Sequence, residues 1–425
     1  MSGAKSRLAA AELLITTLDE RRTLDEALVS SEAYSYLTGS DRGFARAMAS
    51  AVLRQLGRID AGIAPFLDRP LETATPPARA LLRIGAAQSW IMETPDHAVV
   101  GETVSAAKIW PRAQRGAGFL NAVLRKVVSN REAFDAAPIE AVWPEWLRAD
   151  ITAGLGAEGA QALALAQTVQ PALHLTPKTG DAAALAQLLG GQVIGGYSAC
   201  LEAGNVEDMP GFDDGDWWVQ DVAAALPARL LGAEPGETVL DLCAAPGGKT
   251  MQLAATGAHV TAIDRSKPRL KRLVENLQRT GFGEVTLVEA DATSWLPPEP
   301  ADRILLDAPC SALGTLRRHP EGAWIKSADD LARFPSFQER LLRAAVKMLK
   351  PGGTLVYCVC SPLPREGRKI VEAVLAGGGL DRAAIGAGEV PGFEAAVTET
   401  GDLLTLPGGE FGHDAFFISR LVRQS

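Results

Sequence analysis

Cysteine and histidine are scarce in this chain, five of each among 425 residues. The thiols, Cys200, Cys243, Cys310, Cys358 and Cys360, are odd in number. That argues against a disulfide framework and for a reducing compartment. No C-x-x-C pair and no histidine cluster occurs. Cys310 with the Cys358-x-Cys360 pair offers three thiolates, yet without the usual zinc-ligand spacing, so no metal is expected. No run approaches the roughly 20 apolar residues that cross a bilayer. The first dozen residues carry neither the apolar core nor the cleavage site of a signal peptide. A cytoplasmic protein without membrane attachment is expected. Internal repeats and low-complexity tracts are absent too. So is an excess of positive charge, the net charge being −9. That charge is uneven: residues 1–135 carry +2, residues 136–225 carry −10 and residues 226–425 carry −1. Basic clusters on the two flanks can therefore still meet phosphates.

What is present divides the chain into three, as its length suggests. Residues 1–135 are rich in Ala, Leu and Arg at helical spacing. Ala80, Leu81, Leu82, Ile84 and Ala87 lead at that spacing to Trp90, Pro95 interrupts, and Ala98 to Ile109 resumes. Phe119 to Val128 forms an amphipathic helix whose basic face includes Arg125 and Lys126. This predicts an all-α bundle, serving either packing or RNA binding. Residues 136–225 gain Pro, Gly and Asp, with an entry at Trp143-Pro-Glu-Trp146 and short strands at Leu173–Thr176 and Gln192–Ile194. A small α+β connector is expected there.

Residues 226–425 alternate. Strands are predicted at 238–243, 259–264, 285–288, 302–307 and 353–360, and helices at 249–255, 268–279, 334–349 and 365–375. That order predicts an α/β, Rossmann-like domain with a doubly wound, mainly parallel sheet. The last strand, Ala415–Val422, follows Leu403–Leu406 too closely for a crossover helix, so this pair is expected to be antiparallel.

Ligands of such sheets lie beyond the carboxyl ends of the strands. The first strand-to-helix turn is Cys243-Ala244-Ala245-Pro246-Gly247-Gly248-Lys249. Its small residues let backbone approach a ligand. It is neither G-x-G-x-x-G nor a phosphate loop, because the leading glycine of G-x-x-x-x-G-K-[ST] is missing. Asp264 ends the second strand and can accept from ribose hydroxyls, and Asp291 follows the third and can accept from an adenine amino group. An acid at position 264 excludes a 2′-phosphate but leaves both NAD and S-adenosylmethionine open.

Asp307-Ala-Pro-Cys310-Ser311 follows the fourth strand, and Cys358 and Cys360 end the fifth. Adjacent central strands bring Cys310 and Cys360 together. One chemistry needs such a set. Cytosine C5 is a poor nucleophile until a thiolate adds to C6. A partner must hold the ring near N3, and a second group must assist release. Asp307, Cys310 and Cys360 supply these parts, and the target base must leave its stack. Arg317-Arg318-His319, just beyond the motif, is the candidate phosphate contact. The basic residues around Arg269, from Arg265 to Arg272, suit a solvated helix face at least in part.

With these residues on the page, the chain resembles the Sun/RsmB group of bacterial ribosomal RNA cytosine-C5 methyltransferases. The resemblance rests on Leu240-Asp-Leu-Cys-Ala-Ala-Pro-Gly-Gly-Lys-Thr250, on Asp307-Ala-Pro-Cys-Ser-Ala-Leu-Gly314 continuing through Arg317-Arg-His-Pro320, and on Leu355-Val-Tyr-Cys-Val-Cys-Ser361. Val219-Gln-Asp221 and Asp414-Ala-Phe-Phe417 match as well. Pro95-Asp-His-Ala98 and Phe119-Leu-Asn-Ala-Val-Leu-Arg125 resemble a NusB-like RNA-binding domain.

The resemblance implies S-adenosylmethionine as cofactor, held by Cys243 to Lys249, Asp264, Asp291 and Asp307, with Arg269 counted among these contacts. It implies Cys360 as nucleophile, Cys310 as the residue assisting release and Asp307 as the group orienting the base. It also implies small-subunit ribosomal RNA, naked or partly assembled, as partner, met by Arg125, Lys126, Arg317, Arg318 and His319. A monomer is the default. The chain departs from the family at Cys358 and Val359, in having Glu366 alone where an acidic pair is usual, and in having Leu173-His-Leu-Thr176 for Arg-Val-Asn. Two other readings remain: an RNA-binding assembly or antitermination factor on a vestigial methyltransferase fold, and C5 methylation of another nucleic acid, with Cys310 attacking in a DNA enzyme.

Overall fold

A computed structural model describes residues 2–202, 204–408 and 412–425. The chain forms two compact units. One comprises residues up to Gln170 together with Leu316–Ala328, the other Pro171–Thr315 and Asp329–Ser425.

The first unit is helical. Its central helix, Pro76–Trp90, starts with proline at its first positions and is buried along most of its length, as the helically spaced apolar residues from Ala80 to Trp90 predict. Helices Ser2–Leu18, Gly39–Arg54, Asp96–Ile109 and Ala117–Val128 pack around it. Gly85 permits the approach of Ala117–Val128: a Cβ there would lie 2.4 Å from a methyl of Leu124. Trp90 closes the core, stacked on Phe134 at 5.3 Å and donating its indole N–H to the carbonyl of Val127 at 3.1 Å.

The helical unit extends past residue 135, where the sequence placed a boundary. Glu145–Thr168, kinked at Gly156 (φ +74°), belongs to it. Gln167 is the tie, accepting from the Trp143 indole at 2.6 Å and donating to the Arg54 carbonyl at 3.0 Å. A buried amide makes these bonds only with partners distant in sequence, so local pattern does not disclose them.

The second unit carries two sheets. In the smaller, strands β1 (Leu173–Pro177), β2 (Gln192–Ile194), β3 (Ser198–Leu201) and β4 (Trp217–Val219) run antiparallel in the order β2-β3-β1-β4. The larger contains β5 (Thr238–Leu242), β6 (His259–Asp264), β7 (Thr286–Glu289), β8 (Ala301–Asp307), β9 (Leu349–Val359), β10 (Leu380–Arg382), β11 (Leu403–Thr405) and β12 (Phe416–Arg423). Its order is β10-β12-β9-β8-β5-β6-β7, with β11 on β12. Strands β5 to β9 are mutually parallel, and β12 pairs antiparallel with β9, β10 and β11. The predicted doubly wound sheet is present, and the short 403–416 connection gives the expected antiparallel pair. Central strands are apolar on both faces because each face is covered. Leu240, Leu242, Ile304 and Tyr357 pack into one layer, and Val239, Leu305, Val356 and Cys358 into the other.

Candidate active site

The turn after β5 is shaped by backbone that few side chains tolerate. Cys243 has φ +65° and Gly247 φ +108°. A Cβ at Gly247 would lie 2.2 Å from a methyl of Leu273, so glycine is needed both for dihedral and for space. Asp264, buried at the end of β6, ties the turn down. Its Oδ1 accepts from Ser266 N at 2.9 Å and its Oδ2 from Ala245 N at 3.3 Å, and Arg269 lies 3.3 Å from Oδ2. Arg269 also donates to the Ala245 carbonyl.

Beside the turn is a recess walled by Cys243, Ile263, Asp264, Asp291, Pro309 and Phe337, with Arg265 and Arg269 at its edge. Asp291 takes two hydrogen bonds from Thr293, at 2.9 and 2.7 Å, and these lead in holding its carboxyl below the ordinary range. Two carboxylates and apolar walls suit the hydroxyls and ring of an adenosyl group, so the residues present fit the implied cofactor.

Lys249 lies elsewhere than this recess. Its ammonium is 2.7 Å from Asp307 Oδ2. Burial works against the charge, but Asp307 and the thiols of Cys358 and Cys360 outweigh it and raise the pKa. The other oxygen of Asp307, Oδ1, accepts from the Cys358 thiol at 3.6 Å. Burial, with Asp307 next, keeps Cys358 protonated.

Cys310 and Cys360 stand 3.3 Å apart, sulfur to sulfur. The contact with Cys360, then burial, raises the Cys310 pKa well above the ordinary thiol range. The backbone is zipped on both sides of this pair. Ala308 N donates to Cys358 O, Gly314 N to Cys360 O and Ala415 N to Gly314 O, each at 3.0 Å. A Cβ at Gly314 would lie 1.9 Å from the Ala415 carbonyl. The Asp414-Ala-Phe-Phe417 motif is thus a wall of the thiol site. Asp414 N in turn donates to Asp221 Oδ1 at 3.1 Å, and Asp221 Oδ2 lies 3.3 Å from His174 Nδ1.

The sequence marked Glu366 only as the acid left from a usual pair, and gave no role to the residues that join the two cysteine loops. Glu366 is fully buried. Its Oε2 accepts from Ser311 N at 2.7 Å and Gln338 Nε2 at 3.1 Å, and its Oε1 from Ser311 Oγ at 2.5 Å and Ser361 Oγ at 2.7 Å. A lone acid within a Pro-, Leu- and Gly-rich turn five residues beyond Ser361 was the available signal.

The expected RNA-contact residues lie in the helical unit. Arg125 and Lys126 are exposed on Ala117–Val128. Arg317 is only 5% exposed and Arg54 donates to its carbonyl at 2.5 Å, so of the triplet only Arg318 and His319 reach solvent. Burial follows from Leu316 and Ala323, whose apolar side chains draw the segment inward. Among the described residues no group of three or more His, Cys, Asp or Glu could hold a metal, and no helix is long and apolar enough to cross a membrane.

Residues 228–422 match the family model for 16S rRNA methyltransferase RsmB/F, and residues 4–129 that of the NusB family. The chain is 35% identical over 389 residues to ribosomal RNA small subunit methyltransferase B of Xanthomonas campestris, covering 88% of each chain. It is 35% identical over 449 residues to the protein of that name from Pseudomonas putida, covering 98% of each. The crystal structure of PH0851 has the same fold, with a TM-score of 0.77, 22% identity and 98% coverage of each chain.

Proposed function

The chain belongs to the 16S rRNA methyltransferase RsmB/F family, and on that premise we propose that it methylates C5 of a cytosine in small-subunit ribosomal RNA, with S-adenosylmethionine as donor and Cys360 as nucleophile. The observation that carries this reading is the Cys310–Cys360 pair at 3.3 Å beside the Lys249–Asp307 ion pair. When bound, S-adenosylmethionine supplies an electrophilic methyl group on a sulfonium; Asp264 and Asp291 are the residues to hold its adenosyl portion.

Cys310 keeps its proton and points at Cys360, giving a thiolate at 360 its donor. That thiolate adds to C6 of the flipped cytosine, and the ring electrons move to C5, which takes up the methyl group. Asp307, held by Lys249 and Cys358, faces the ring near N3. Transfer of the C5 proton to solvent then restores the double bond and expels Cys360 as a thiolate, a departure that the Cys310 S–H assists as hydrogen-bond donor. Arg125, Lys126, Arg318 and His319 are the contacts for RNA phosphates. A ribosomal RNA substrate, naked or partly assembled, sets the reaction in the cytoplasm.

The test is adduct trapping with small-subunit RNA and cofactor. Cys310→Ala is expected to accumulate a denaturant-stable protein–RNA adduct, and Cys360→Ala to give neither adduct nor 5-methylcytosine. Adduct lost only in Cys310→Ala would assign attack to Cys310, as in the DNA enzymes. No heat of cofactor binding at millimolar concentration would favour a non-catalytic RNA-binding factor.

A further inference from the structure

We propose that Glu366 is a positioning residue whose carboxylate ties the Cys310 loop to the Cys360 loop and so sets the sulfur–sulfur separation. It touches neither sulfur. It binds the residue after each cysteine: Ser311 through both backbone N–H and hydroxyl, and Ser361 through its hydroxyl. The two hydroxyls also meet each other at 3.1 Å. Gln338 completes the set, donating both to Glu366 and to the carbonyl of Pro309 at 2.9 Å, so the residue before Cys310 is held as well. From the other end, the Tyr357 hydroxyl donates to the Glu366 carbonyl at 2.6 Å, which seats this residue against β9.

The β8–β9 ladder ends at Asp307–Cys358, so sheet pairing alone does not fix the cysteines that follow. Beyond that point the Gly314 N to Cys360 O bond holds one side of the pair, and a side-chain bridge is needed to hold the other. A fully buried carboxylate taking four donors over two oxygens is such a bridge, its own oxygens satisfied although Gln338 Oε1 has no partner among the described residues. The backbone N–H of Ser311 and the Gln338 amide need an acceptor oxygen at this place, whereas the two hydroxyls can turn to donate or accept.

This inference rests on the reading of Cys360 and Cys310 above, and its test separates the two. Full-length wild type, Glu366→Ala and Glu366→Gln are compared in two measurements. The first is the rate at which diamide joins Cys310 to Cys360, read by peptide mass spectrometry. Diamide takes up two electrons and two protons as the sulfur–sulfur bond forms, so the rate reports proximity without any methylation. The second is methylation of small-subunit RNA, resolved into kcat and KM, with cofactor affinity by calorimetry. Glu366→Ala should lower the disulfide rate at least tenfold and kcat about 100-fold, with cofactor affinity within twofold of wild type. Glu366→Gln should keep both rates within about threefold. Its carbonyl can meet Ser311 N and Gln338 while its amide donates to the reoriented hydroxyls. If Glu366→Ala yields no folded protein, the Ser311→Ala/Ser361→Ala double variant carries the test, with both rates expected to fall at least fivefold.

Wild-type disulfide and methylation rates in Glu366→Ala, or in the double variant where it carries the test, would overturn the proposal. So would damage from Glu366→Gln equal to that from Glu366→Ala, which would mean a proton-transfer role. If Cys310→Ala traps no RNA adduct while the disulfide rate still depends on residue 366, the catalytic reading fails and the clamp stands.

Discussion

At the scale of single residues, position in the sequence and position in the site diverge most at Lys249. The glycine-turn motif groups it with the cofactor contacts, yet its ammonium forms a partly buried ion pair with Asp307 and lies by the thiols. The two placements predict different kinetics. A lysine that holds cofactor lowers its KM. A lysine that fixes Asp307 and supplies positive charge where the thiolate reacts acts on kcat. Lys249→Met is expected to lower kcat by about 100-fold while leaving the KM for S-adenosylmethionine within about threefold. Steady-state methylation at varied cofactor decides it, and a large KM change with preserved kcat would return Lys249 to the cofactor. Cys310, Cys360 and Asp307 were legible because strand periodicity alone puts them at neighbouring strand ends. The joint role of Glu366, Gln338 and Ser361 was not, since it lies in their bonds to one another. Nor was the burial of Arg317, whose charge argues for solvent until its apolar neighbours are seen to be inside.

Elements were read well where one face or both had to be buried. The parallel strands from β5 to β9 fall within a few residues of their expected bounds, and the helix Lys267–Thr280 ends at Gly281 as predicted. The turn after β5 shows what pattern cannot supply, namely the cost of its shape. Alanine at Gly247 would have to adopt φ +108° against the Leu273 side chain. Gly247→Ala should therefore cost about 1–3 kcal/mol of stability, read as a lowered Tm, and weaken cofactor binding about tenfold.

Beneath the same turn, Asp241 is fully buried, with Oδ2 accepting from Thr250 at 2.5 Å and Oδ1 without a partner among the described residues. Burial, partly offset by Thr250, pushes its carboxyl up to about 7. The folded state thus holds a proton that the unfolded chain releases near pH 4. Stability from this group is fully present below about pH 4 and is lost as pH rises through about 7, an effect on the order of a few kcal/mol. Asp241→Asn should flatten the decline in stability between pH 5 and 8 relative to wild type. An equal fall in unfolding free energy between the two pH values in wild type and Asp241→Asn would show that the protonation of Asp241 does not set this slope.

For the whole molecule, the feature no local pattern reveals is that the chain leaves one compact unit and returns to it. After Thr315 it contributes Leu316–Ala328 to the helical unit before Asp329 resumes the catalytic one. Within the helical unit this segment is deeply held. Arg54 binds the Arg317 carbonyl and Glu321 accepts from Leu24 N at 3.3 Å. Leu316 and Ala323 are buried, and Trp324 packs on the helical core. A chain beginning at Pro171 would keep both sheets and every residue of the glycine turn, but would strip these partners from Leu316–Ala328. That exposes apolar surface and leaves the Glu321 carboxylate without its bond to Leu24, conditions that favour aggregation. The truncated chain is expected to bind a hydrophobic dye and self-associate in sedimentation. Replacing Leu316–Ala328 by a short Gly/Ser linker should restore solubility and keep cofactor binding. Methyl transfer should still be lost, because the disorder begins two residues after Gly314, whose N–H holds the Cys360 carbonyl. If the truncated chain methylates RNA at the wild-type rate, the catalytic unit is autonomous, and the excursion of the chain into the helical unit has no part in placing the thiols.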